Sequence, residues 1–223
     1  MSKLVFDPKI APVVSIAGEL AVPPEHLVTQ WLRERFASPP RWQPEIMHEH
    51  DPQLQRLPLR PASVLIPLVA REEGMTLLLT QRTAHLHDHA GQISFPGGRA
   101  EKIDASAIET ALRETEEEVG IHRSHLDVLG TLPNYCTITG YLVTPVVSIV
   151  TPPFDLQADP FEVAEIFEVP LSFLMDGAHH QRRIVEFPSG LGRRTFYAMP
   201  YERFFIWGAT AGMLRNLFHF LRA

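Results

Sequence analysis

Apolar and polar positions along the chain predict one mixed domain. "SVLIPLVA" (63–70) and "TLLLTQR" (76–82) are nearly continuous apolar runs, bounded by the turn-like "REEGM". Runs of this length and type read as strands, and the short polar break between them reads as a hairpin. "QISF" (92–95), "LDVLGTL" (126–132) and "LVTPVVSIV" (142–150) extend the strand set. "VAEIFEVPL" (163–171) reads as mostly extended, with a short helical turn in "LSFLMD". "RRIVEFP" and "RRTFYAMP" flank Ser189-Gly190-Leu191-Gly192 and predict a second hairpin.

Helical spacing appears in three places. In "EHLVTQWLRERF", Leu27, Trp31, Leu32 and Phe36 fall on one face. The segment 105–119 carries Ile108, Ala111, Leu112, Thr115 and Val119 on one arc. "GATAGMLRNLFHFLRA" (208–223) closes the chain as a helix. Strands clustered mid-chain with few helices between them indicate an α/β (α+β) domain, with a mixed sheet and helices on its faces. A doubly wound parallel sheet is excluded, because helices do not alternate with strands. Residues 1–61 divide off as an N-terminal helix and a proline-rich arm, and 62–223 as the main domain. The N-terminal region could pack on the same core, form a homodimer contact, or shape a pocket.

Composition narrows the function class. The chain has 223 residues, enough to bury a substantial core. Its net charge is −6 and no basic run appears, so no nucleic-acid partner is expected. One cysteine, Cys136, allows no internal disulfide. No apolar stretch is long enough for a membrane span, and the N-terminus lacks a secretion pattern. A soluble cytoplasmic protein is the expectation.

The candidate chemistry lies in "RETEEEVG" (113–120), where Glu114, Glu116, Glu117 and Glu118 crowd together. Like charges one turn apart repel by a few tenths of a kcal/mol, about 0.2–0.5 per pair. Projection places Glu114, Glu117 and Glu118 together, opposite the apolar arc, and Glu116 elsewhere. Either this is a solvated acidic face or a hard divalent cation sits against it. Arg113 lies one turn before Glu117 and can hold an acid in place. Ser106-x-x-Glu109 is a capping box, Asp104 is a competing cap, and Gly120 suits the left-handed end of the helix. Upstream, "FPGG" leads a strand into a glycine turn, where the backbone can approach a ligand.

The segment Gly98–Ile121 resembles the Nudix box, Gly-x5-Glu-x7-Arg-Glu-U-x-Glu-Glu-x-Gly-U, where U is a bulky aliphatic residue. Gly98, Arg113, Glu114, Glu117, Glu118, Gly120 and Ile121 match. Asp104 stands in place of the first Glu, one extra residue precedes Arg113, and Thr115 replaces the first aliphatic residue. "LLTQRTAHLHDHAGQISFPGG" (78–98) is similar to the signature of the coenzyme A pyrophosphatase branch, L-L-T-x-R-S-x3-R-x3-G-x3-F-P-G-G. Thr83 there replaces Ser and His87 replaces Arg. "YLVTPVV" and "IWGATA" (206–211) look like that branch too.

This resemblance implies a Nudix α/β/α sandwich, with the catalytic helix after a Gly-Gly turn. It implies metal-dependent cleavage of the diphosphate of coenzyme A or a derivative, giving adenosine 3′,5′-bisphosphate and 4′-phosphopantetheine. Glu114, Glu117, Glu118 and the Gly98 carbonyl would hold Mg²⁺ or Mn²⁺. Glu117, Glu114, Arg113 and Glu162 would act in catalysis, with Glu165 an alternative base. Arg82, His87 and Gly97 would contact substrate. Arg82 could instead be a structural partner of Asp88 or Asp104. His85, His87 and His89 alternate but read better as a loop beside the substrate than as a zinc site. Tyr135 and Tyr141 could stack on adenine. The alternatives are another nucleoside diphosphate derivative as substrate, or a Nudix-fold binding module without catalysis.

Overall fold

The computed structural model describes residues 6–45, 59–86, 89–186 and 193–223. Two sheets share one main core. The larger is built on β2 (Arg60–Arg71), β3 (Gly74–Arg82), β4 (Ile93–Ser94), β5 (Gly97–Arg99), β6 (Leu126–Thr131), β7 (Tyr135–Cys136), β8 (Tyr141–Val150) and β9 (Val163–Pro170). Among the described residues only the β2–β8 pair is parallel, so the sheet is mixed as the sequence predicts. The smaller sheet is antiparallel and runs in the order β1 (Val13–Ile16), β10 (Gln181–Glu186), β11 (Arg193–Tyr201), β12 (Phe204–Trp207).

β2 lies at the centre of the larger sheet. Leu65, Ile66, Leu68 and Val69 are fully buried. Its near-continuous apolar run follows from burial on both faces, each side chain contributing about 1.5–3 kcal/mol. Leu65 meets Ala111 and Leu112 of α2 (Ala107–Val119) on one face. Ile66 and Leu68 join a core containing Leu214, Leu217 and Phe218 of α4 (Gly208–Arg222) on the other. Pro67 would cost a central strand a ladder bond. It falls between the last β5 pair, Val64 with Gly97, and the first β3 pair, Leu68 with Leu77, where that edge of β2 has no strand partner.

The predicted hairpin between the first two runs is present, with Arg71 facing Gly74 across a two-residue loop. β10 and β11 also pair as predicted; the turn between them lies outside the described residues. The "LSFLMD" turn is α3 (Leu171–Leu174). Three features differ from the sequence reading. "FPGG" does not end in a turn: Gly97 opens β5, paired to β2. β1 carries four exposed residues without strand-like burial alternation, and the small sheet recruits it through β10. The helix near residue 30 starts later than its apolar spacing suggests, as α1 (Thr29–Ala37), after a short 3-10 turn at Pro24–His26.

The N-terminal segment packs on the shared core through Val22, Leu27 and Leu32. It is also tied to α4 by charge. Arg215, only 3% exposed, donates to Glu19 at 2.8 and 3.1 Å and to Glu45 at 2.9 and 3.1 Å. Burial alone would raise the Glu45 carboxyl, but hydrogen bonds with His219, Tyr197 and Arg215 hold it down to about 2. No helix among the described residues is long and apolar enough to cross a membrane.

Candidate active site

α2 is delimited as its sequence predicts. Ser106 accepts a hydrogen bond from the Glu109 amide at 3.2 Å, and Gly120 ends the helix at φ +76°. Its acids are distributed differently from the projection. Glu118 is 4% exposed and Glu114 is largely buried, while the Glu117 side chain is 60% exposed. The projection has all three together on the arc opposite the apolar face. That arc is partly covered, because β5 runs along it. The Gly97 amide donates to Glu118 Oε2 at 3.2 Å. An ideal Cβ on Gly98 would lie 2.5 Å from the Glu114 carboxyl carbon. Glycine at 98 therefore admits the carboxylate against the strand. Glycine at 97 answers a backbone demand, with φ +149° and a virtual Cβ 2.4 Å from the Ser63 carbonyl oxygen.

Burial shifts both inner acids. Glu118 is pushed up to about 8 by desolvation, against the opposing pull of the Gly97 amide and Arg82. Glu114 is raised by desolvation, against the pull of Arg113. The negative charge of both is thus incompletely met inside the protein.

Arg113 organises the acids. Its Nε donates to Asp104 Oδ1 at 2.9 Å and its Nη2 to Asp104 Oδ2 at 3.0 Å, a bidentate fork. Nη1 reaches Glu117 at 2.9 Å and Nη2 reaches Glu114 at 3.0 Å and the Arg99 carbonyl at 3.2 Å. The fork holds the Asp104 carboxyl well below the usual carboxylate range. Asp104 also accepts from the Thr110 hydroxyl and the Glu101 amide. It is therefore the anchor of the box loop rather than the helix cap. Its nine-residue separation from Arg113 is not a helical spacing, so helical periodicity gives no sign of it. Glu109 pairs with Arg123 instead of Arg113.

Arg82 arrives from the end of β3. It lies 3.8 Å from Glu118 and 3.7 Å from Glu162. Asp104 is not its partner, being held by Arg113, and Asp88 lies outside the described residues. Glu162 sits on a loop fixed at both ends. The Gln157 and Asp159 amides donate to the Val119 and Glu118 carbonyls at the end of α2, at 2.9 and 3.0 Å. The Thr83 amide donates to the Glu162 carbonyl at 2.9 Å, and its hydroxyl to the Phe161 carbonyl at 2.8 Å. Glu165, the alternative base, lies on β9 and is ion-paired with Arg203.

The structure thus brings together Arg82, Gly97, Gly98, Asp104, Arg113, Glu114, Glu117, Glu118 and Glu162. His87 lies outside the described residues. His85 packs edge-on against Phe161 at 4.9 Å, and His89 Nδ1 meets Gln92 Oε1 at 2.9 Å, so these two serve other partners. Tyr135 is buried in the core against Gly212, whereas Tyr141 is partly exposed between two arginines. Among the described residues no three His, Cys, Asp or Glu side chains gather about one point as a metal site. Arg113 lies between Glu114 and Glu117, and Arg82 between Glu118 and Glu162. The donor set still fits a hard divalent cation: the carboxylates of Glu114, Glu117 and Glu118, the first and last of them desolvated, beside a strand whose glycines carry no side chain.

The NUDIX domain family model matches residues 59–186. The chain is 47% identical over 169 residues to the Nudix hydrolase NudL of Shigella flexneri, described as uncharacterized. That match covers 74% of this chain and 86% of the relative, and NudL of Escherichia coli strain K12 gives the same figures. Among solved structures, a Nudix hydrolase from M. smegmatis, RenU, aligns over 50% of this chain and 71% of its own, with 22% identity and a TM-score of 0.44.

Proposed function

The chain belongs to the NUDIX domain family and is a Nudix hydrolase acting on pyrophosphate bonds, and from that premise we propose that its substrate is coenzyme A or a coenzyme A derivative. The observation that carries the reading is the segment Leu78–Gly98. It matches the coenzyme A pyrophosphatase signature in register, and it is the same stretch that supplies Arg82 and Gly97 to the carboxylates. Its one strong departure, His87 in place of Arg, favours a second reading: another nucleoside diphosphate derivative.

Nudix hydrolases are in general dependent on a divalent metal, and here Glu114, Glu117, Glu118 and the Gly98 carbonyl would hold Mg²⁺ or Mn²⁺. Such a cation offsets the charge of the diphosphate and lowers the pKa of bound water. The residues of the chain do the rest. The Gly97 amide fixes the Glu118 carboxylate in orientation. Arg113, braced by Asp104, positions Glu114 and Glu117. Arg82 faces the same space and pairs with phosphate oxygens. Glu162, 42% exposed at its side chain and fixed by its loop, accepts the proton of the attacking water. Water adds to one phosphorus, the bridging P–O bond breaks, and two phosphomonoesters leave.

Product identification is the test. Coenzyme A incubated with the enzyme and Mg²⁺ or Mn²⁺ should yield adenosine 3′,5′-bisphosphate and 4′-phosphopantetheine by mass spectrometry. Cleavage of ADP-ribose with coenzyme A left intact would decide for the second reading.

A further inference from the structure

Beside the carboxylates lies a second arrangement that none of the steps above uses. Arg99 directly follows Gly98 and sits opposite Ala62 in the β5–β2 register. Arg60, two residues from Ala62 on β2, sits opposite Tyr141 on β8. Three adjacent strands therefore bring Arg99, Arg60 and Tyr141 to one face at one end of the sheet. Arg99 Nε donates to the Tyr141 hydroxyl at 2.7 Å, with its guanidinium carbon 5.4 Å from the ring centroid. The Arg60 guanidinium carbon lies 4.1 Å from the same centroid, and its Nη2 donates to the Thr139 carbonyl at 2.9 Å.

Both arginines are exposed, and among the described residues neither pairs with a carboxylate, in a protein of net charge −6. Each uses one of its five N–H donors in these bonds, which leaves the others for a ligand. Two like charges held on one phenol repel, so the arrangement is favoured once an anion is present. Guanidinium forks suit phosphate oxygens, and two of them suit a dianion. Arg113 binds the Arg99 carbonyl, so this pair is fixed to the same framework that positions the carboxylates.

We propose that Arg60, Arg99 and Tyr141 form a clamp for a phosphomonoester of the substrate, separate from the diphosphate that is cleaved. This rests on the coenzyme A reading, in which that group is the 3′-phosphate. Arg60 and Arg99 bind the dianion; Tyr141 is a positioning residue that sets the Arg99 side chain. The clamp is a device of selectivity, so it should be visible in the ratio of two substrates that share one diphosphate.

The test has two arms. First, kcat/KM is measured for coenzyme A and for dephospho-coenzyme A with wild-type enzyme, Arg60→Ala, Arg99→Ala and Arg99→Lys. Wild type should prefer coenzyme A, each alanine variant should lower that preference by roughly tenfold, and Arg99→Lys should retain part of it. An unchanged ratio in both alanine variants overturns the clamp and leaves the coenzyme A reading standing. Second, calorimetry compares adenosine 3′,5′-bisphosphate with AMP on the full chain. Tighter binding of the bisphosphate, lost in Arg99→Ala, supports the clamp; equal affinities overturn it. Wild-type enzyme that cleaves neither coenzyme overturns the coenzyme A reading, and the binding arm then still decides whether the clamp exists.

Discussion

Glu114 occupies the space that a side chain on Gly98 would fill, its carboxyl oxygens 2.5 and 2.6 Å from an ideal Cβ there. The neighbouring glycine is constrained by backbone instead, and this separates two substitutions one residue apart. Gly98→Ala meets the end of a movable side chain. It should lower kcat by about tenfold or more by displacing Glu114, with a stability loss near 1 kcal/mol. Gly97→Ala meets the Ser63 carbonyl at a φ that disfavours alanine, so it should cost about 3 kcal/mol. Urea denaturation beside steady-state kinetics checks both; equal stability losses would count against this assignment.

Glu117 is the acid whose removal should separate activity from stability. It is exposed, and among the described residues its ion pair is with Arg113 alone. Glu117→Gln should reduce turnover by about 10²-fold or more, yet change stability by less than about 1 kcal/mol. Near-normal turnover would remove Glu117 from the metal-binding set.

The metal-free protein should lose stability as pH rises. In the fold Glu118 keeps its proton up to about 8, whereas an unfolded glutamate releases it near its ordinary value of about 4.3. Between those limits the folded state binds more protons, so this contribution is fully present below about pH 4.3 and fades through pH 8. In EDTA, wild type should weaken relative to Glu118→Gln by up to ~1.4 kcal/mol per pH unit. Unfolding free energies at pH 5.5 and 7.5 measure it, and parallel profiles for the two proteins would refute it. Added Mg²⁺ should raise Tm more at the higher pH, because cation and proton compete for the carboxylate.

Asp104→Asn keeps the size of the side chain but removes the charge that braces Arg113. The expected result is a loss of stability and a reduced kcat, since Arg113 also positions Glu114 and Glu117. Restored activity in Asp104→Glu would mark the charge as the cause.

Arg215→Ala should act through folding, not catalysis. It would leave Glu19 and Glu45 facing each other in a largely enclosed cluster, at a cost of about 3 kcal/mol. Chemical denaturation should show the loss while KM stays close to that of wild type.

Much of the site was legible in the sequence, because its chemistry is local. The capping serine, the terminal glycine and the Arg-Glu-x-x-Glu-Glu spacing lie on one helix, and helical geometry fixes their relative directions. The apolar runs identified β2, β3 and β8, because strands buried on both faces must be apolar throughout. The matched residues Gly98–Ile121 therefore carried the resemblance unaided. What the tertiary structure decided was everything that depends on a neighbour far along the chain. Projection gives the angle of Glu118 on the helix but not the strand that covers it, so the burial of this acid was not legible. Asp104 and Arg113 meet across a loop that has no periodicity. Glu162 reaches the carboxylates only because backbone amides of its loop satisfy the open end of α2. β1 exists because β10 offers it an edge, and Arg60 joins Arg99 only through the register of three strands. Periodicity and spacing within one element are properties of the sequence; burial and charge pairing between elements belong to the fold.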